Sequence, residues 1–388
     1  MKKIAIPFFL LFLLLFAFGQ CQKKYAPIDV SGCNFYFWKT RLSFNAADKA
    51  LADSLGVKRL YLRYFDVDWS PSLGMPVPVG EITLTGWSNE NFFSTKEAYF
   101  LDGRQVVPVI YLENRVFSGS YDPDSLAAKI SDKIASISSE INWYLYPSWG
   151  YDYANAEDTN YEVLDSLHEG ARQRFLGGLT EIQLDCDWTA TTRERYFQFL
   201  KAMKKYNPDK TISCTVRLHQ FRDQEKTGVP PVDRGTLMCY NMASPKDPGA
   251  SDAIFDPALV QGYLKNGDYP LPLEAALPLF SWGVLFHENE FKGLASGLSA
   301  EAVQSNPLFE TGPSGMYRFT ADTVFSEIYM RRGDLVRIDQ ASPNELAALT
   351  ERLAQIKAVK NISFFDWNPS NIRIYHVDEL YKKFQTAR

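Results

Sequence analysis

The chain has 388 residues, 46% hydrophobic, 22% charged and 14% aromatic, a composition that builds a packed core and excludes a mainly disordered chain. Its 41 Lys and Arg against 46 Asp and Glu give a net charge of -5 with no long basic run, so nucleic acid is not expected as a partner. Cys21, Cys33, Cys186, Cys214 and Cys239 form no CxxC pair and His is scarce, so no metal site is expected. No nucleotide-binding, zinc-protease or serine-hydrolase motif is present, and no cofactor is expected.

Lys2 and Lys3 precede an apolar run from Ile4 to Phe18, the pattern of a secretory signal and too short for a comfortable membrane span. Residues 1–20 are therefore expected to be a signal peptide and the protein to be exported. The run ends at Phe18-Gly19-Gln20-Cys21, which resembles the lipobox of bacterial lipoproteins, with Gln20 where a small residue is usual. That resemblance implies lipidation of Cys21 and a membrane-anchored protein of the cell envelope facing the periplasm. Residues 21–31 would form a tether and residues 32–388 a single domain. An ordinary cleaved signal with an incidental Cys21 is the alternative.

From Cys33 onward, eight β-rich runs alternate with helical or loop segments: Asn34–Trp38, Arg59–Phe65, Val106–Leu112, Glu181–Trp188, Thr211–Leu218, Thr236–Asn241, Ala275–Trp282 and Ile362–Trp367. Eight βα units in this order predict a (β/α)8 TIM barrel. Between the runs, Asn45 can cap a helix ending at Gly56, and Leu126, Ile130, Ile134 and Ile137 repeat at helical spacing within Pro123–Ile141. A third helix spans Thr192–Tyr206, and Ser342-Pro343 opens a fourth carrying Leu346, Leu349 and Leu353. Residues 70–105, 142–180, 243–274 and 283–341 are long βα insertions, the first and last with room for barrel helices. They adjoin strand C-terminal ends, where barrels place ligand loops.

The fourth run carries the sharpest signal. Alternation places Glu181, Gln183, Asp185 and Asp187 on one face, and four polar residues in a row cannot pack against barrel helices, so they should point into the barrel. Asp185 and Asp187 then stand roughly 6.5–7 Å apart. Repulsion between them should raise one pKa, with Asp185 raising that of Asp187 nearer the mouth, which supplies a proton donor beside an anion at neutral pH. An alternative, in which they cap loops or pair with Arg217, stays open.

Leu184-Asp185-Cys186-Asp187-Trp188 resembles the fourth-strand signature of family 18 glycoside hydrolases, the chitinase-like barrels, Asp-x-x-Asp-x-Asp-x-Glu. Asp185 and Asp187 match its second and third Asp, whereas Ile182 falls at the first Asp and Thr189 at the general-acid Glu. Met238-Cys239-Tyr240-Asn241 resembles the sixth-strand Met-x-Tyr-Asp/Asn, implying that Tyr240 and Asn241 hold the reacting sugar. Phe365-Asp366-Trp367 resembles the eighth-strand end, implying Trp367 as the pocket floor and Asp366 beside it. A closer likeness, from Phe35-Tyr36-Phe37-Trp38 through Val57-Lys58-Arg59-Leu60-Tyr61 and Gln183-Leu184-Asp185-Cys186-Asp187 to Met238-Cys239-Tyr240-Asn241, is to a bacterial family of exported barrel proteins of unassigned function.

Further polar groups end other strands: Asp66, Asp68, Glu113, Arg217 and His219. Glu113 is the best substitute for the missing acid, with a salt bridge to Arg115 or Arg217 as its alternative. His219 and His287 titrate near neutrality if unperturbed, and His287-Glu288-Asn289-Glu290 has the position of a lid. Trp38, Tyr64, Trp69, Tyr111, Tyr240, Trp282 and Trp367 all fall near strand C-terminal ends, where rings can stack on sugars. The resulting expectation is an exported, lipid-anchored barrel that binds a glycan at its C-terminal mouth and hydrolyses it through Asp187, Asp185 and Glu113. Tyr240, Asn241, Trp367, Asp366, Trp282, Trp38 and Arg217 would bind the sugar. A glycan-binding or envelope-scaffold lipoprotein that has lost its acid is the alternative.

Overall fold

The computed structural model describes residues 27–28, 31–84, 100–101, 103–145, 161–265 and 267–388. Residues 1–20, expected to be a signal peptide, and Cys21 lie outside the described residues. Eight parallel strands close into one barrel: β1 (Asn34–Phe37), β2 (Arg59–Ser70), β3 (Gln105–Leu112), β4 (Glu181–Asp185), β5 (Thr211–Arg217), β6 (Arg234–Met238), β7 (Leu273–Pro278) and β8 (Val359–Phe365). Each pairs with its neighbours in chain order, and β1 pairs with both β8 and β2 to complete the ring. The predicted (β/α)8 barrel is the fold.

The helices form where capping and apolar stripes coincide. Asn45 accepts from the amides of Ala47 and Asp48 to open Ala46–Ser54, and Gly56 (φ 62°) ends it in the left-handed region that glycine adopts without strain. Ser342 and Glu345 form the capping box of Pro343–Ala354. Pro123–Leu145 and Arg193–Tyr206 bury Ile130, Ile134, Phe199 and Met203 against the outer faces of the strands. Among the described residues, no helix is long and apolar enough to cross a membrane.

The barrel interior is a filled plug, polar at its lower end. Arg234 forks onto Glu181, and Arg59 lies 3.7 Å from Glu274, which also accepts from Asn34 at 2.8 Å. Above them Tyr36 donates to Gln183 at 2.7 Å, Gln183 donates to Thr236 at 3.0 Å, and the rings of Tyr36 and Tyr61 stack at 4.5 Å. These interior contacts leave the C-terminal mouth as the end where a ligand is to be sought. At the opposite end Arg234 donates to the Pro27 carbonyl at 3.0 Å, which fastens the N-terminal segment across the barrel floor.

Two predicted strands change character. β2 runs past Phe65 to Ser70, a register shift occurs between Arg63 and Phe65, and Met75–Val79 folds back on it as an antiparallel hairpin. The seventh run, read as Ala275–Trp282, divides after Pro278, so Ser281–His287 belongs to a separate antiparallel sheet. That sheet is inserted between β7 and helix Pro343–Ala354, in the order Glu290–Ser296, Ser281–His287, Leu335–Gln340, Tyr317–Phe319, Phe309–Thr311. It packs a small cluster of its own around Leu285, Phe319 and Val336.

Residues 283–341 therefore hold a sheet and the short helix Ala300–Gln304, not the expected barrel helix, and Pro343–Ala354 takes the barrel position. Strands of three to seven residues, broken at positive-φ positions such as Ser314, Ser326 and Glu327, are too short to show a clear period in sequence.

Candidate functional site

Alternation on β4 does what the sequence requires of it: Glu181, Gln183 and Asp185 are buried inside the barrel, and Asp187, just beyond the strand, is part-exposed at the mouth. The register Leu184↔Cys214 sets Asp185 beside Thr215 and Asp187 beside Arg217. Thr215 donates to Asp185 at 2.7 Å, and Arg217 Nε lies 3.2 Å from Asp187 Oδ1. Burial, and then the charge of Asp187, push the Asp185 carboxyl up to about 7. The carboxyl displaced upward is thus the deeper Asp185, whereas the sequence expectation names Asp187. The deeper carboxyl loses hydration, whereas Asp187 has a guanidinium partner.

Arg217 also donates to the Asn241 carbonyl at 3.4 Å. Asn241 sits in the left-handed region (φ 55°), and its buried Oδ1 has no hydrogen-bond partner. Arg217, His219, Tyr240, Asn241, Ser244 and Tyr263 line much of a cavity of about 320 Å³. Burial, and then Arg217, hold His219 below the usual histidine range, which disfavours a charged imidazole there. Glu113 is half-buried at the end of β3, and its two expected ion-pair partners are engaged elsewhere: Arg115 with Asp68, and Arg217 with Asp187. Thr189 is exposed and bonds to the Thr191 and Thr192 hydroxyls, so no carboxyl stands in its place.

The aromatic residues separate into two groups. Trp38, Phe365, Phe280 and Trp282 are all half-buried and in succession, with ring centroids 5.3, 5.6 and 5.3 Å apart, and Tyr240 packs on Phe365 at 5.1 Å. This strip crosses the mouth from β1 to the inserted sheet. Sequence reading missed Phe280 and Phe365, although Phe365 directly precedes the predicted Asp366. Asp366 is half-buried, and burial raises its pKa, with Lys39 opposing.

Trp367, expected as the pocket floor, lies instead in the core. It is buried, donates to Asp48 of helix Ala46–Ser54 at 3.0 Å, and packs edge-on against Phe35 at 5.0 Å. Regular β8 ends at Phe365, so the two-residue period does not carry to Trp367. Tyr64 likewise faces outward, its hydroxyl 3.2 Å from Ser138. Trp69 and Tyr111 are part-exposed, and the charges of Glu113, Asp185 and Asp187 reach Tyr111.

Two further expectations change on the inserted sheet. His287 pairs with Asp334 at 2.6 Å, and Glu288 and Asn289 (φ 50° and 65°) form the turn of a hairpin rather than a lid. Arg337 and Asp339 form a buried pair, Nε–Oδ1 2.6 Å, and Asp339 accepts from Trp282 Nε1 at 2.9 Å. Neither was recognised from sequence. Among the described residues no cluster of three or more His, Cys, Asp and Glu is placed to hold a metal.

No family model matches the chain, and no curated protein matches it. Solved structures do. A protein provisionally named chitinase A from Streptomyces coelicolor is 12% identical over 92% of this chain and 99% of its own, with a TM-score of 0.42. A fungal endo-β-N-acetylglucosaminidase of glycosyl hydrolase family 18 is 10% identical, covering 92% and 98%, with a TM-score of 0.41. A xylanase and amylase inhibitor protein is 9% identical over 92% and 98%, with a TM-score of 0.40. The chain's own strand pairing closes the eight-stranded barrel, and these structures, chitinase-like family 18 barrels among them, are similar to it at low identity.

Proposed function

We propose that this barrel binds a glycan across its C-terminal mouth and does not hydrolyse it by the route that the family 18 resemblance implies. The observation that carries the reading is the strip Trp38, Phe365, Phe280 and Trp282, four part-exposed rings in contact beside a polar cavity. Rings of this kind offer flat apolar faces to the C–H faces of sugars, while Asp187, Arg217 and Asn241 offer donors and acceptors to hydroxyls. Proton donation to a glycosidic oxygen has no carboxyl at position 189, and Asp187 is held by Arg217. Titration with soluble oligosaccharides, together with product analysis, tests the reading. Binding without product is expected, and loss of binding in Trp38→Ala would tie it to the strip. Absence of binding to any glycan would sink it.

A second reading, hydrolysis with Glu113 as the acid, is favoured by the engagement of Arg115 and Arg217 with other carboxylates. Released sugar that disappears in Glu113→Gln would establish it. We further propose export and lipid attachment through Cys21, on the strength of the charged and apolar leader that precedes it. Membrane fractionation of the full chain tests this.

A further inference from the structure

Arg337 stands on Leu335–Gln340 of the inserted sheet, almost fully buried, with every N–H donor engaged. Its Nη1 donates to the carbonyls of Asp247 at 2.6 Å and Ala250 at 3.0 Å, and its Nη2 to Pro245 at 3.3 Å. Those carbonyls belong to the segment that continues from Ala243 and Ser244, which line the cavity. The remaining donors meet Asp339: Nε to Oδ1 at 2.6 Å and Nη2 to Oδ2 at 3.1 Å. Trp282, the register partner of Asp339 on the adjacent strand, donates its indole N–H to the same Oδ2. One guanidinium therefore fixes both the cavity wall and the orientation of the last ring of the aromatic strip. A lysine keeps the charge but not the planar fork that meets a carboxylate and backbone carbonyls together.

We propose that Trp282 is a second, distal sugar subsite, and that Arg337 is the positioning residue that sets it against the cavity at Tyr240 and Asn241. The ligand is then an oligosaccharide that spans both, held at one end by polar groups and at the other by a stacked ring. A buried ion pair is a costly way to hold two strands together where an apolar pair would serve. Its placement is accounted for by what it orients. The proposal rests on the glycan-binding reading above.

The test is calorimetric titration of the full chain with chito-, cello- and xylo-oligosaccharides, from monosaccharide to hexasaccharide. For the series that binds, affinity should rise about tenfold when the chain becomes long enough to reach Trp282, the size of one added ring contact. Trp282→Ala should erase that gain. Arg337→Lys should erase it and also weaken the shortest ligand, and the double variant should show no further loss of the length-dependent gain. If Arg337→Lys does not fold, Asp339→Asn reads the same coupling. A full gain in Trp282→Ala overturns the subsite, and a full gain in the folded positioning variant overturns the role of Arg337. Failure of the unaltered chain to bind any of the series overturns the glycan-binding reading and this proposal with it.

Discussion

Arg217 holds Asp187 at 3.2 Å from a position on β5 two residues beyond Thr215, whose hydroxyl serves Asp185 on the neighbouring strand. One pleated pair of strands thus gives two nearby carboxyls different partners. The buried one keeps a hydroxyl and is driven toward the protonated form, and the part-exposed one takes a guanidinium partner. The mouth carries an acid and an ion pair side by side, without the carboxyl that the family signature places two residues after Asp187.

Asp185 makes stability depend on pH in a defined direction. Its folded pKa of about 7 lies above the ordinary value of 3.8, so the folded state binds a proton that the unfolded chain releases. That contribution is fully present below the ordinary value and is lost as pH rises through about 7. Asp185→Asn keeps the acceptor for Thr215 and cannot ionise. Relative to the unaltered protein, it should gain about 2–3 kcal/mol between pH 5 and pH 8. Urea denaturation at both pH values measures this, and a pH-independent difference would refute a raised Asp185.

Trp367→Ala should act on folding and not on ligand. Removing a buried indole and its bond to Asp48 should cost about 3–5 kcal/mol. Glycan affinity measured on the folded fraction at low temperature should be unchanged, whereas Phe365→Ala should weaken it. Lost affinity in stably folded Trp367→Ala would return Trp367 to the pocket.

Glu113→Gln separates binding from turnover. No turnover is expected before or after the change, with affinity altered by less than about threefold, the effect of weakening one polar contact at a half-buried position. Were Glu113 an acid catalyst, the rate would instead fall by about 10²–10⁴. Sugar release assayed over long incubations decides between them.

Cys21→Ala should move the full chain from the membrane fraction to the soluble fraction. Pro27 is bound to Arg234 at the barrel floor, and the six Cα–Cα steps from Cys21 to Pro27 reach at most about 20 Å. A lipid at Cys21 would therefore keep the floor near the membrane and point the mouth away from it. A reporter at Lys357, which precedes β8, should then be quenched by lipid-borne quenchers more strongly than one at Leu73, beyond the opposite end of β2.

The sequence by itself determined the eight barrel strands, four of the helices and the inward face of β4, but not the helices Tyr161–Gly178 and Val377–Ala387. Those features depend on local alternation, helical spacing and capping, which act over a few residues and leave their period in the chain. Asp185 and Asp187 were legible for that reason, whereas Tyr240 stood out by the resemblance of Met238-Cys239-Tyr240-Asn241 and Arg217 by its place at a strand end. Only the tertiary structure decided which aromatics face the mouth, because strand ends, the shift between Arg63 and Phe65 and the break after Pro278 reset the alternation. Trp367 and Tyr64 went to the core, and Phe280 and Phe365 to the site. The inserted sheet, and with it the clamp of Arg337 on residues some ninety positions earlier, arises from pairing between segments distant in sequence. No local period records such pairing, since it is fixed by the closure of the barrel and the packing of its loops.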